Sequence, residues 1–464
     1  MKELAVYVDI NSPVPAYEQI YLFIRNEIFS GNIKKGTVLP SSRALAEYLQ
    51  LCRSTVLMAY DQLIAEGYIE PSPRKGYYVL ELEGGFGGPA DKFYQEEEEF
   101  PEEEYRIDFS PDGIETGHFP YNEWRRIMRQ VLTPENSELF NSGDARGDEG
   151  LRRLIGEYLM ESRGVKARPS HIILGAGNES LLMIINMLLE DGSVFGMENP
   201  AYRKSYKLIT GLGRRVVPVE VDSGGMVISE LERSGAAVAY VTPSHQYPTG
   251  AVMNIKRRLE LLAWVGAKKG RYIIEDDYDS EFRYKGRPIP ALQGNDGGER
   301  VIYIGTFSKS LSPAMRISYM VLPDSLYKRY AENCSFFSNT VSRIEQRAVE
   351  LFIRDGGFGR HLGRMRKIYK NKHDVMLACL KKWKNTVVSG ENAGAHMLAH
   401  ISNGMSGPEM AGLAASRGIR VYPLDEYYID GKAGERGVIL LGYARLDAGT
   451  IERGMAELGE MWGL

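Results

Sequence analysis

Apolar positions along the first 80 residues repeat at helical spacing. In PAYEQIYLFIRNEIFSG, Tyr17, Ile20, Tyr21, Ile24 and Ile28 share one face, and Gly31 suits the cap that ends the helix. LPSSRALAEYLQLCRSTVLMAYDQLIAEGYIE then predicts two shorter helices. Ser41 or Ser42 is the expected cap of the first, which ends near Leu49. Ser54 is the expected cap of the second, and Gly67 follows its end. Residues 50–52 leave space only for a tight turn, so the pair reads as a helix-turn-helix. YIEPSPRKGYYVL adds two short strands, a wing with Arg74 and Lys75 at its tip.

Beyond residue 106 the pattern changes. Short apolar runs alternate with helix-like stretches: HIILGAG before NESLLMIINMLLEDG, SVFGMENP before AYRKSYKLITGLG, AVAYVTPS before IKRRLELLAWVGAKKG, then YIIEDDY and RVIYIGTFSK. This is the rhythm of a parallel sheet covered by helices on both faces. The tail from about Ser335 is helix-rich and ends in the strand-like GVILLGYARL, which predicts a smaller α+β lobe. The expected organisation is a mostly helical winged module over 1–80, a linker over 81–106 and an α/β domain over 107–464.

Composition adds limits. The apolar and charged fractions, 43% and 25%, are those of ordinary globular chains. The most apolar run, LLMIINMLL, is too short to span a bilayer, and the N-terminus has no cleavable signal pattern. Cys52, Cys334 and Cys379 are widely spaced, with neither metal-ligand nor disulfide spacing, as expected of reduced thiols in the cytoplasm. The net charge of −4 comes from one segment: residues 81–105 hold ten acids against Lys92 alone and carry −9, leaving +5 on the rest. Such a segment buries too little apolar surface to order itself, hence the linker.

The first 80 residues hold eight basic and eight acidic side chains, so DNA affinity must come from local clustering and paired copies. A helix entering the major groove needs short polar and basic residues at its start, and Arg53, Ser54 and Thr55 stand there. Ser42 and Arg43 open the preceding helix, where backbone N–H groups favour a phosphate. Arg74 and Lys75 suit the DNA backbone or minor groove. With PAYEQIYLFIRNEI, LPSSRALA, RSTVLMAYDQLIAEG and RKGYYV in that order, residues 15–80 resemble the winged helix-turn-helix of GntR-type bacterial regulators. The implied partner is double-stranded operator DNA.

The larger part carries a second chemistry. A pyridoxal phosphate site needs an amine for the Schiff base, a carboxylate for the pyridine nitrogen, a donor for the ring phenolate, a stacking group and a phosphate cup. IIEDDYDSEFRY supplies carboxylates and Tyr278 directly after a strand-like run. GTFSKSLSPAMR supplies Lys309 with Thr306, Ser308 and Arg316 around it. LGAGNESL offers a glycine-flanked turn at a helix start, and ENPAYRKSY offers Tyr202 for stacking. For the carboxylate of an amino-acid ligand, Arg420 in GIRVYPLDEYY, Arg445 in GYARL and Arg203 are candidates.

This order of motifs resembles the fold-type I aminotransferases over 107–464, and the whole chain resembles the MocR subfamily of GntR regulators, which carry such a domain as a ligand sensor. The resemblance implies a Schiff base at Lys309, with Asp276 (by the pattern EDDYDSEF, although Asp277 adjoins it) at the pyridine nitrogen. It further implies Tyr278 at the ring oxygen, Tyr202 stacked on the ring, and Ser308, Arg316 and the Gly177–Asn178 turn on the phosphate. It also implies a homodimer, arranged head-to-tail. HQYPTG departs from the NPTG of catalytic relatives: Tyr247 replaces the asparagine that bonds the ring oxygen, and His245 lies two residues earlier. Ala176 and Asn178 also differ from the glycine and glutamine common in the phosphate turn of enzymes. The expectation is a DNA-binding regulator that senses an amino acid, an amine or pyridoxal phosphate itself. The rival is a working aminotransferase with an accessory DNA-binding domain.

Overall fold

The computed structural model describes residues 6–9, 12–72, 76–81, 104–284, 289–297, 300–392, 394–431 and 434–464. Arg74, Lys75 and most of the segment 81–106 lie outside the described residues. The chain divides into two compact units, Met1–Glu102 and Glu103–Leu464.

In the first unit the helices Ala16–Phe29, Ser42–Leu49 and Arg53–Ala65 surround one apolar core. Ile20, Ile24 and Ile28 meet Leu45, Val56, Ala59 and Leu63 there, each side chain worth roughly 1.5–3 kcal/mol on burial for the larger aliphatics. Ser41 caps the second helix by accepting from the Ala44 N–H at 3.1 Å. Gln50 takes the left-handed conformation at φ 56°, which turns the chain sharply into the third helix. That helix starts two residues earlier than the sequence pattern suggested. Cys52 is its N-cap and makes no side-chain cap, so Ser54 lies inside the first turn. The wing also differs from the expected pair of strands: Val38–Leu39 joins Gly76–Val79 and Ile69–Ser72 in a three-stranded antiparallel sheet.

The second unit is built on an eight-stranded sheet. Five parallel strands form its middle, in the order Val301–Thr306, Tyr272–Asp277, Val238–Val241, Phe195–Asn199 and Val216–Asp222. The sheet is mixed rather than all-parallel, because Ser318–Val321 runs antiparallel between Val301–Thr306 and Ile172–Gly175, and Gly225–Met226 closes the other edge antiparallel. Successive side chains feed opposite layers: Ile302 and Ile304 join one apolar cluster, Tyr303 the other. Both faces are thus covered, as a parallel core requires.

A smaller lobe holds the strands Thr386–Ser389, His396–Ile401, Val438–Gly442 and Tyr422–Pro423, antiparallel in that order. The helices Gly407–Ser416 and Ala448–Trp462 pack on it through Met410, Ala414, Ile451 and Leu458. Ile107–Asp108 pairs in parallel with Ile419–Arg420 and buries Ile107 and Phe109 in the same cluster. Among the described residues no helix is long and apolar enough to cross a membrane.

Candidate functional site

The chain runs from Phe195–Asn199 outward to Val216–Asp222, then returns to Val238–Val241 on the opposite side. Such a reversal opens a crevice at the carboxyl ends of the strands, because the flanking loops diverge there. A cavity of about 210 Å³ lies at these ends. Lys309, Asp276, Tyr278, Tyr202, Ser308, Arg316, Gly177, Asn178 and Tyr247 all line it, although they come from five separate stretches of chain.

Asp276 is the penultimate residue of the strand Tyr272–Asp277, with its side chain on the cavity side. Its carboxylate accepts from the Tyr240 hydroxyl and from Asn178 Nδ2 at 3.2 Å, and Tyr240 in turn meets Ser205 Oγ at 3.0 Å. Burial pushes the Asp276 carboxyl up to about 6, against the pull of these two bonds. The strand's two-residue period sends Asp277 the other way, into a buried pair with Arg163 at 2.9 Å and the Tyr303 hydroxyl at 2.6 Å. Tyr240 and Ser205 were not singled out in the sequence: within AVAYVTPS a tyrosine reads as one more apolar strand residue.

Lys309 lies just beyond the strand Val301–Thr306, and its Nζ donates to the Pro111 carbonyl at 3.1 Å. Burial lowers its pKa, favouring the neutral amine, against the attraction of Asp112 and Asp279. Asp112 also pairs with Lys204 at 3.5 Å, and both line the cavity. Sequence reading missed them, because Asp112 enters the site from a loop well ahead of the other lining residues in the chain.

Gly177 and Arg316 form a cradle. Gly177 has φ +88° and caps the helix Asn178–Leu188, and a Cβ on it would stand 2.3 Å from Arg316 Nη2. Arg316 donates to the Ala176 carbonyl at 3.1 Å and to Glu179 at 2.7 Å. Thr306 Oγ1 is bonded to Ser308 Oγ at 2.9 Å. The buried Asn178 Oδ1 has no partner among the described residues. A guanidinium, two hydroxyls and a helix N-terminus suit a phosphate. A buried amine and a buried carboxylate suit an aldehyde and a basic ring nitrogen, so the residues present fit pyridoxal phosphate. Tyr247 is buried edge-on to Tyr202 at 5.3 Å and Tyr278 at 5.7 Å, and closes the aromatic wall. Behind it Gly250 and Gly390, at φ +73° and +78°, meet backbone to backbone: a Cβ on Gly250 would lie 2.4 Å from the Gly390 Cα.

The three arginines expected to receive a carboxylate do not line this cavity. Arg420 follows buried Ile419 on a strand, so the alternation turns it outward over the Tyr105 and Tyr422 rings at 5.4 and 5.2 Å. Arg203 donates to the Glu426 carbonyl at 2.8 Å. Arg445 is exposed, and its Cβ lies 2.9 Å from where a Cβ on Gly113 would be.

On the first unit Arg43, Arg53 and Ser54 are exposed and Thr55 is half-buried. Ser42 is buried, and its hydroxyl accepts from Arg53 Nε at 3.3 Å, which ties the two helices together at their starts.

Comparison with known proteins bears on both units. Residues 16–79 match the bacterial regulatory proteins of the gntR family, and residues 114–445 match the class I and II aminotransferases. The chain is 38% identical to the uncharacterized HTH-type transcriptional regulator YhdI of Bacillus subtilis, over 99% of this chain and 98% of that one. It is 33% identical to the probable rhizopine catabolism regulatory protein MocR of Rhizobium meliloti, over 97% and 94% of the two chains. The chain belongs to the MocR-type regulators. This MocR-type chain is therefore a DNA-binding transcription regulator with an aminotransferase-like, pyridoxal phosphate-binding domain. The fold of that domain is similar to the kynurenine aminotransferase of Pyrococcus horikoshii, with a TM-score of 0.69 and 22% identity over 78% of this chain and 91% of that one.

Proposed function

We propose that this MocR-type regulator senses an amino acid or amine, or pyridoxal phosphate itself, through the cavity around Lys309. The observation that carries this reading is the buried Lys309 amine, held low in pKa, in the same cavity as the buried Asp276 carboxylate. Held at Lys309, pyridoxal phosphate would supply an electrophilic carbon that captures amines and a ring that withdraws electrons. Asp276 keeps the ring nitrogen protonated, Tyr278 donates to the ring oxygen, and Tyr202 and Tyr247 wall the ring. Ser308, Arg316, Gly177 and Asn178 hold the phosphate. A carboxylate on the effector is taken by Arg420, with Arg445 and Arg203 as the alternatives, and since none of the three lines the cavity a rearrangement must bring it there.

An effector amine that displaced Lys309 would free its amine to donate again to the Pro111 carbonyl, and the segment from 104 onward would answer to that change. Occupancy thereby shifts the balance between operator-binding states. Arg43, Arg53, Ser54 and Thr55 meet the operator, together with Arg74 and Lys75 at the wing tip. The protein works in the cytoplasm as a homodimer, each winged helix serving its partner's large domain head-to-tail. The deciding experiment measures operator affinity of the loaded protein across a panel of amines while keto-acid release is followed in parallel. Effector-dependent affinity with no sustained keto-acid release is expected. Repeated keto-acid production without a change in operator affinity would sink the sensor reading in favour of a working aminotransferase.

A further inference from the structure

Beside the cavity lies a buried polar pair that the proposed function leaves unused. His245 and Asp279 are 2% and 3% exposed, and His245 Nδ1 stands 2.9 Å from Asp279 Oδ2. The same Nδ1 stands 3.0 Å from the Tyr278 hydroxyl oxygen. A carboxylate only accepts, so the imidazole carries a proton on Nδ1 and donates it toward Asp279. The Tyr278 oxygen shares that N–H as a second acceptor. Its own hydrogen also reaches Asp279, and with Nδ1–H satisfying that carboxylate it can turn to an acceptor in the cavity, which Tyr278 lines. His245 pays for this placement with a buried Nε2 that has no partner among the described residues. A phenyl ring would fill the same space but leave Asp279 Oδ2 without its His245 partner, so the imidazole and the carboxylate stand or fall as a pair.

The pair is also clamped from the small lobe. Gly394 has φ +79°, and a Cβ there would stand 2.3 Å from His245 Cε1 and 2.7 Å from Asp279 Oδ2. The His396 ring lies 5.2 Å from that of His245, and His396 Nε2 meets the Pro248 carbonyl at 3.1 Å. The imidazole is thus enclosed between Tyr278 and the loop that enters the strand His396–Ile401.

We propose that His245 and Asp279 form a positioning dyad that fixes the Tyr278 hydroxyl as a donor to the ring oxygen of the bound cofactor. This rests on the reading that the cavity holds pyridoxal phosphate. The ionisable groups facing Tyr278 are Asp276 and Asp279 from its own strand end, His245 and Tyr247 from the loop after Val238–Val241, Glu198 from the strand Phe195–Asn199, and Lys309. A donor at the ring oxygen stabilises its anion and so lowers the pH at which the Lys309 Schiff base loses its proton.

The test uses the full-length protein loaded with pyridoxal phosphate and reads the pH midpoint of its visible absorbance change. Tyr278→Phe and His245→Phe should each raise the midpoint by about one pH unit, the worth of one hydrogen bond to a charged oxygen. The double variant should move no further than Tyr278→Phe alone, because both substitutions remove the same donor. Asp279→Asn, which keeps an acceptor for Nδ1, should raise it less, and it carries the test if His245→Phe does not fold. A midpoint unmoved in both His245→Phe and Asp279→Asn, with Tyr278→Phe shifted, would overturn the dyad, as would shifts that add. A wild-type protein with no visible band fixed by borohydride sinks the cofactor reading itself, and the dyad with it.

Discussion

The helix-turn-helix unit keeps its chemistry outside its core, whereas the aminotransferase-like unit encloses its chemistry within one. Arg43, Arg53 and Ser54 stand in solvent above an apolar core of isoleucine, leucine and valine. Around Lys309 the order inverts: Asp276, Tyr240 and His245 are buried and Tyr278 is half-buried, and desolvation moves the pKa values of Asp276, Tyr278, Tyr240 and Lys309. A solvated side chain can be exchanged at little cost to folding, so groove specificity can vary freely on a constant core. A buried polar network works only when its members are satisfied together, so the pocket must change as a unit or not at all.

Lys309→Ala is the strongest way to separate the two units. Borohydride reduction followed by mass measurement should show complete loss of the covalent cofactor. Operator affinity without effector should stay within about twofold, because distant sites behave independently. Loss of operator binding in this variant would break the contrast and make the cofactor part of the DNA-binding fold. Asp276→Asn comes next. Removing one partner of a buried charge pair costs about 3–5 kcal/mol, or at least about a hundredfold in cofactor affinity by equilibrium dialysis.

The wild-type pocket adds a pH signature. The anion of Asp276 is what a protonated ring nitrogen needs, so cofactor affinity should fall as the pH drops through about 6, where the free pocket takes up a proton. The Asn variant should lack that limb. The free protein should show the opposite sign. A carboxyl raised from 3.8 to about 6 binds its proton better when folded, so this group's contribution to stability declines as the pH rises across that window. Thermal melts of wild type and Asn variant between those limits will show it.

Smaller effects belong to the first unit. Arg53→Ala or Arg43→Ala should weaken operator binding by about 1–3 kcal/mol, and a lost phosphate contact lowers the salt slope by about one. Fluorescence anisotropy against salt distinguishes a phosphate contact from a base contact. Ser41→Ala should cost about 1 kcal/mol of stability through the lost cap. Ser54→Ala should stay within about 0.5 kcal/mol, since Ser54 caps nothing.

Legibility in the sequence followed the same division. Helical spacing placed the three helices of the first unit because their core contacts are local and periodic. What it misjudged was the start of the third helix and the strand Val38–Leu39, which is two residues long and exists only through its pairing with Gly76–Val79. In the second unit the motifs around Lys309, Asp276 and Gly177 were readable because each sits at the end of an apolar strand or on the loop directly after it. The antiparallel strand Ser318–Val321 was not, since a fully buried strand has the same apolar run whichever way it points. Tyr240, Asp112 and Asp279 escaped for a related reason: their importance lies in partners far along the chain. The three arginines lie outside the cavity lining, because residue type names a chemistry but cannot say toward which side a side chain turns.

The contact of Gly250 on Gly390 sets a stop for the small lobe. Backbone meets backbone there, so neither side can rotate away as a side chain would. In engineering terms it is a hinge pin with no clearance. One methyl group on Gly250 would press into the Gly390 backbone and prop the lobes apart, with every residue that touches cofactor, effector or DNA left as it is.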